Sequence, residues 1–374
     1  MQALRERTIL LALAGSHAHG TATPASDIDI SGIAVPTRRQ ALGLFCPFEQ
    51  ENDAEVLAMF HSDLQPDEQT IARRTKLEGT VFDLRKCVSL ATAANPNILE
   101  VLFCRDEEVR RLHPLGERLR EHAHLFVTER CRHTFGGYAA SQLGRIQRHH
   151  RWHHDGPQAP PDRASFDLPE ETLVPRAHLH AVEAAIRTRI DRWEVDLSDL
   201  QPAQRIDLNR RMARVLAEQS IGDDERWVTA ARWIGLNDNF IEVMRRERKW
   251  RTARNEWKRY RSWLKNRNPV RAALEAEHGF DTKHGAHLVR LLRMGIEIVT
   301  TGRVNVWRGD RDADELTAIR NGAWSYEQLC EWTEQAQERL DDAPHTLPTK
   351  PDHEAIDALN IDLVEAGFAL GGTA

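Results

Sequence analysis

The sequence predicts an α+β fold: a mixed sheet with flanking helices over the first 110 residues, then a mostly α-helical C-terminal region. Three observations carry this expectation. The strand-like apolar runs all fall before residue 110. Beyond it, apolar residues recur at the three-to-four spacing of helices. A chain of 374 residues also exceeds one small domain.

Each element follows from its local pattern. Residues 8–14 (TILLALA) read as a buried strand closed by Gly15 and Ser16, and residues 17–26 as a turn region. Residues 27–35 (DIDISGIAV) alternate as a strand with one wet face, and Pro36 ends it. Residues 40–75 give no clear elements. Residues 78–82 (EGTVF) predict a short strand, and residues 83–94 a helix with Leu84, Cys87, Val88 and Ala91 on one side and Asp83 as its N-cap. Helices are expected over 112–152, 178–195, 202–219, 282–302 and 325–340, and as one long or two shorter helices over 236–264. Residues 155–175 hold five prolines and predict a linker or loop. The resulting organisation is a mixed strand-and-helix domain at 1–110, a helical connection at 111–154, the linker at 155–175, a helical domain at 176–345 and a tail at 346–374, frayed at its last four residues.

Composition excludes several classes. The longest apolar run, residues 9–14, is too short to span a bilayer, and residues 1–7 lack an export-signal layout. The five cysteines are odd in number and widely spaced, without a Cys-x-x-Cys pair, so neither a disulfide framework nor a zinc knuckle is expected. A cytoplasmic protein is the expectation. The net charge of -6 argues against nucleic-acid binding on average, but binding depends on the local field.

The chemistry concentrates near the N-terminus. Asp27 and Asp29 are two apart on an expected strand, so their carboxylates share a face while Ile28 and Ile30 turn toward a core. Paired carboxylates raise one another's pKa, and a divalent cation relieves that cost. Magnesium suits such oxygen ligands together with substrate phosphates. Gly15-Ser16, where a strand turns into the next element, can offer backbone N–H groups and a hydroxyl to a phosphate. A triphosphate on the turn and metals on the carboxylates is the layout for phosphoryl or nucleotidyl transfer.

The string GSHAHGTATPASDIDISGIAVPT, beginning at Gly15, resembles the DNA polymerase beta-type nucleotidyltransferase superfamily, in particular the branch associated with bacterial RNA repair and RNA ligase gene clusters. Residues 78–103, 134–149 and 267–298 resemble further blocks of that branch, so the resemblance is spread from residue 8 to about 340. It implies a polymerase-beta-type catalytic domain that uses two magnesium ions, with manganese as an alternative, and a nucleoside triphosphate as substrate. It implies that Gly15 and Ser16, with Gly20 and Ser26 around them, bind the nucleotide. It makes Asp27 and Asp29 metal ligands and catalytic residues. Relatives usually carry Asp as a third carboxylate; here the matching position is Glu78, with Asp83 as a rival. Lys283 and His287, four apart on a helix face that also carries His284 and Arg290, become candidates for contacts to the triphosphate or the acceptor.

The acceptor implied is an RNA end in RNA repair, with RNA ligase or other repair proteins as partners. Residues 244–267 carry eleven Lys or Arg against two Glu, with Trp250, Trp257, Tyr260 and Trp263 interleaved. The cations suit phosphates and the aromatics suit base stacking, which marks Lys249, Trp250, Arg254 and Lys258, together with Arg290, as RNA-binding candidates. The tryptophans, near heptad spacing, also fit core anchors of an amphipathic helix. Residues 147–154 (QRHHRWHH) form a second basic cluster, read as a solvated or RNA-facing helix end rather than a metal site. Two other functions compete: nucleotidylation of a protein or small-molecule hydroxyl, and a catalytically silent RNA-binding or antitoxin-like partner.

Overall fold

A computed structural model describes residues 2–45, 47–75, 77–157, 159–172, 176–191, 228, 231–232 and 235–370. The expected helix at 202–219, the end of the one at 178–195, Cys46 and residues 371–374 lie outside the described residues.

Five strands form one mixed sheet. They are β1 (Thr8–Ala14), β2 (Ile28–Ala34), β3 (Gln50–Glu51), β4 (Leu77–Asp83) and β5 (Val109–Leu112), in the order β3-β4-β2-β1-β5. β1 runs antiparallel to β2 and to β5, β2 parallel to β4, and β3 antiparallel to β4. The expected strands are thus present, and a mostly helical region follows the sheet. β5 was not foreseen. It has only four residues, and its two arginines mask the pattern: Arg110 Nε donates to Glu68 at 2.7 Å and Arg111 lies 3.4 Å from Asp63. Residues 40–75, unassigned from the pattern, hold several short helices and β3.

The helices used below are α1 (Gly15–His19), α2 (Leu84–Thr92), α3 (Pro96–Leu102), α4 (Arg130–Asp155), α5 (Asp238–Asn266), α6 (Pro269–His278), α7 (Thr282–Thr301) and α8 (Ala313–Arg320), of which α5 lies in a separate unit. Asp83 caps α2 as expected, accepting from the backbone N–H groups of Arg85 at 2.8 Å and Lys86 at 3.4 Å. The stretch expected as one helix or two at 236–264 is the single helix α5.

The chain divides into two units, one of residues 1–153 with 268–374, the other of residues 154–267. This differs from the expected helical domain at 176–345 and separate tail at 346–374. The reason is packing. α7 is buried on most of its faces, and one hydrophobic core joins Ile9, Leu10 and Ile33 of the sheet to Leu288, Leu291, Leu292 and Ile298 of α7 and to Leu363 near the C-terminus. A helix apolar on nearly all sides belongs inside a core, and periodicity does not say which core. The helix His353–Gly367 is tied to the start of the sheet, because the Arg7 guanidinium donates to the Val35 carbonyl at 2.8 Å and to the Gly367 carbonyl at 3.1 Å.

A second tie reaches the turn after β1. The Arg308 backbone N–H donates to the His19 carbonyl at 3.0 Å. Its guanidinium, 1% exposed, is held by Glu297 at 2.8 and 2.9 Å and by Asp312 at 2.6 and 2.8 Å. Removing one partner of such a buried cluster leaves uncompensated charge. Arg308→Ala is expected to lose about 3 kcal/mol of stability, read by urea unfolding; a loss below about 1 kcal/mol would show the cluster to be solvated instead.

The unit of residues 154–267 has a small core of Ala231, Ile241 and Met244, packed by Val182, Phe240 and Val243. Within it Glu247, 1% exposed, pairs with Arg163 and accepts from Thr172 Oγ1 at 3.1 Å.

Candidate functional site

The sheet builds the site at the end of its central strands. β1 is a run of buried apolar residues, and it stops at Gly15, whose φ of +57° is the left-handed region that favours glycine. Glycine is needed there for a second reason. A Cβ at Gly15 would sit 2.3 Å from Asp29 Oδ2, so only a bare backbone admits the carboxylate that closely. Gly20, at φ +70°, ends α1, and a Cβ there would meet the Trp307 ring at 2.9 Å. The turn after β1 is therefore pressed between Asp29 on one side and Trp307 on the other.

Register brings the acidic residues together. Asp29 lies opposite Ala14 on β1 and opposite Glu78 on β4. Because β2 and β4 are parallel and in register, the two side chains share a face. Asp27, one residue before β2, has the same parity and is exposed, while Ile28 and Ile30 are 0% and 1% exposed. Burial raises the Asp29 carboxyl above the ordinary carboxylate value, the Lys283 ammonium pulls it down, and the charges of Glu78 and Asp27 push it up again. Asp83 is five residues beyond Glu78, on the opposite face, buried, and occupied with its capping bonds and with Arg85. Among the described residues no group of three or more His, Cys, Asp or Glu could hold a metal ion by itself. The donor set of Asp27, Asp29 and Glu78 is all oxygen and suits a hard cation that also takes oxygens from a phosphate.

Asp29, Gly15 and Ser16 line a cavity of about 490 Å³ whose lining also holds four cations, Arg271, Lys283, Arg290 and Arg320. Lys283 is exposed on the first turn of α7. His287 lines the same cavity but is not a cation. Burial, then the Arg290 charge, push its imidazole down to about 3, and its Nδ1 accepts from Arg290 Nη2 at 3.0 Å. Arg290 is 4% exposed and donates to Glu100 Oε1 at 2.5 Å, while Glu100 Oε2 lies 3.0 Å from His19 Nε2. Burial alone would raise the Glu100 carboxyl, but Arg290 and His19 together hold it well below the ordinary range. Arg290 therefore stands in the cavity wall and not on an outer face that meets an RNA backbone.

The other expected residues separate in the same way. Gly20 and Ser26 are absent from the cavity wall. Ser26 is buried and its Oγ accepts the Thr23 N–H at 2.9 Å, so it shapes the loop that leads into β2. The basic stretch 147–154 is partly packing: His149 lies 3.1 Å from Glu275 and stacks on Trp152, and His150 Nδ1 donates to the Gly279 carbonyl at 2.8 Å while its ring stacks on Tyr326. Only the carbonyl's chemistry decides that last role: it accepts, so His150 Nδ1 carries the hydrogen. On α5, Lys249, Arg254 and Lys258 are exposed. Trp250 is half-buried between the Arg163 and Arg254 guanidiniums, 4.7 and 5.1 Å from its ring, so its faces are already engaged. The sequence reading missed His19, Glu100 and the strap at Trp307 and Arg308. His19 stood in the quoted motif, but Glu100 lies on α3 in an otherwise apolar run, and only the fold brings the two together.

Residues 2–154 match the family model described as RlaP: RNA repair pathway DNA polymerase beta family. That stretch is similar to the family so described. The match holds all five strands, α1 to α3 and nearly all of α4, and leaves the block at 267–298 outside. It covers less than half of the chain. No curated protein and no solved structure matches the chain. Among the described residues no helix is long and apolar enough to cross a membrane, and Cys87, Cys104, Cys131 and Cys330 are free thiols.

Two expectations follow from the charges. The folded state raises the Asp29 pKa, so ionised Asp29 costs stability above that pKa, and the cost disappears as pH falls below the ordinary value of 3.8. Asp29→Asn is therefore expected to melt higher than the wild type at pH 7; a lower melting temperature would contradict the burial argument. His287 behaves oppositely. Between its ordinary 6.5 and its folded value of about 3, the unfolded chain takes up a proton that the folded one does not, so stability falls as pH drops below about 6.5. His287→Asn should flatten that slope between pH 7 and 5 in urea titrations, and an unchanged slope would show that His287 titrates freely.

Proposed function

We propose that the unit of residues 1–153 and 268–374 is a nucleotidyltransferase that moves a nucleoside monophosphate from a nucleoside triphosphate to a hydroxyl of an RNA end, in RNA repair. The observation that carries this reading is the half-buried Asp29, set beside Glu78 and Asp27 in a cavity that is also lined by Arg271, Lys283, Arg290 and Arg320. Such a site pays for repulsion that nothing in the fold alone requires. A polyphosphate with its counter-ions relieves both charges at once, neutralising the cations and the carboxylates together. The polymerase beta family usually uses a divalent metal, and the match of residues 2–154 supports the same chemistry here.

In this reading Gly15 and Ser16 receive the phosphates, through backbone N–H groups and the serine hydroxyl. Lys283 offsets the charge of the triphosphate near Asp29. Asp27, Asp29 and Glu78 would hold the divalent ions, whose chemistry when bound would be to lower the pKa of an attacking hydroxyl and to stabilise the leaving pyrophosphate. Asp29 and Glu78, side by side in register, fix where that hydroxyl is activated. His19, Glu100 and Arg290 brace α1 against α3 and α7 and so keep Ser16 in place. Lys249, Arg254 and Lys258 on α5 are the exposed cations assigned to the RNA backbone.

The test uses nucleoside triphosphates labelled at the α-phosphate, a divalent ion, and either RNA or total cell protein. Label in RNA is expected. Label in protein alone would move the acceptor to a protein hydroxyl, and none in either would overturn the transfer reading. Asp27→Ala and Asp29→Ala should stay folded by circular dichroism and lose transfer by about 100-fold or more; retained transfer in either would remove these carboxylates from the chemistry.

A further inference from the structure

A second group of cations gathers on one imidazole. His284 Nε2 lies 3.1 Å from Arg271 Nη1 and 3.4 Å from Arg145 Nη1. The other ring nitrogen, Nδ1, is 2.7 Å from Asp281 Oδ2, and the His284 backbone N–H donates to Asp281 Oδ1 at 3.1 Å. Asp281 is 3% exposed. Burial would raise its carboxyl, but the bonds from His284 and the charge of Arg271 bring it below the ordinary value, so it is an anionic acceptor. The carboxylate thus fixes the tautomer: Nδ1 carries the hydrogen and Nε2 offers one lone pair to two guanidiniums.

One lone pair cannot satisfy two guanidiniums, each with five N–H donors. Arg271 has Asp281 at 3.6 Å as its ion-pair partner, and Arg145 meets only the neutral imidazole among the described contacts. Arg271, His284, Lys283 and Arg320 line the cavity already described. Gln142, in the same lining, has a buried amide oxygen without a hydrogen-bond partner among the described residues. An amide can be turned to present its NH2 instead. Two guanidiniums meeting on one ring with a single carboxylate, beside an unsatisfied amide, leave N–H donors that a further anion can take.

We infer that Arg145, Arg271 and His284 form a second phosphate subsite, distinct from the Gly15-Ser16 turn: Arg271 and His284 line the cavity together with Gln142 and Arg320, and Arg145, exposed and outside that lining, reaches the same His284 ring at 3.4 Å. The ligand chemistry is a phosphate group, since two planar guanidinium forks match its oxygens in a way that a single halide or water does not. The inference rests on the transfer reading for which phosphate arrives: the terminal phosphate of the triphosphate, or a backbone phosphate of the acceptor end. His284 is a positioning residue, holding both forks toward one point. The subsite needs no bond making and is measurable without turnover.

Calorimetric titration of the full chain tests it with two probes, inorganic tripolyphosphate and a short RNA with a free 3′ hydroxyl, on wild type and on Arg145→Gln/Arg271→Gln. Tenfold or greater weakening of tripolyphosphate with RNA binding intact assigns the subsite to the triphosphate. The same weakening of RNA with tripolyphosphate intact assigns it to the acceptor. Both dissociation constants within twofold of wild type, or no binding of either probe to wild type, overturns the subsite. His284→Asn guards against misfolding of the double variant, since it removes the shared ring acceptor and leaves both arginines; it should weaken the same probe by a smaller factor. Asp27→Asn, titrated in parallel, separates this from the transfer reading: it should abolish transfer while leaving tripolyphosphate binding measurable, and an active Asp27→Asn would sink the transfer reading without touching the subsite.

Discussion

The structure turns on the placement of one negative charge. Asp29 is half-buried, pressed against the Gly15 backbone, and flanked by Glu78 in register and Asp27 two residues back. Burial and like charge both oppose its ionisation, and Lys283 is the cation named against them. A fold under no further demand would have relieved this with a neutral residue. Instead the sheet holds it in place: β1 supplies the turn, β2 the acid, and β4 the neighbouring acid, three adjacent strands whose register no single-residue slip could preserve.

What surrounds that charge is built from distant sequence. α7 carries Lys283 and Arg290 of that lining and is also a core helix, while Arg271 and Arg320 come from α6 and α8. The strap at Trp307 and Arg308 closes on the turn from the other side. The family match ends at residue 154, yet the cavity needs residues 271 to 320. The matched segment therefore contributes the carboxylates and the glycine-serine turn, and the region beyond the match contributes most of the opposing charge.

Much of this was legible in the residues. Alternation placed Ile28 and Ile30 inside and Asp29 with Asp27 on the other face, because period two is a local property. Asp83 was recognisable as a cap for the same reason, and that freed Glu78 as its neighbour's partner. Long-range pairings were not legible. His287 looked like part of a cationic face, but its burial beside Arg290 makes it neutral. Arg290 looked like a surface contact, but Glu100, 190 residues away, takes it inside. β5 hid behind two arginines whose partners lie on other elements. Which core α7 joins was not legible either, because a helix apolar on nearly all sides can pack into either half.

The most direct measurement is calorimetric titration of manganese into the full chain in the presence of a non-hydrolysable nucleoside triphosphate, comparing wild type with Asp29→Asn. Saturable binding to the wild type, weakened about 10-fold or more in the variant, is the expected result. Equal binding to both proteins would contradict the role given to Asp29, and with it the reason for burying a charge at that point of the sheet.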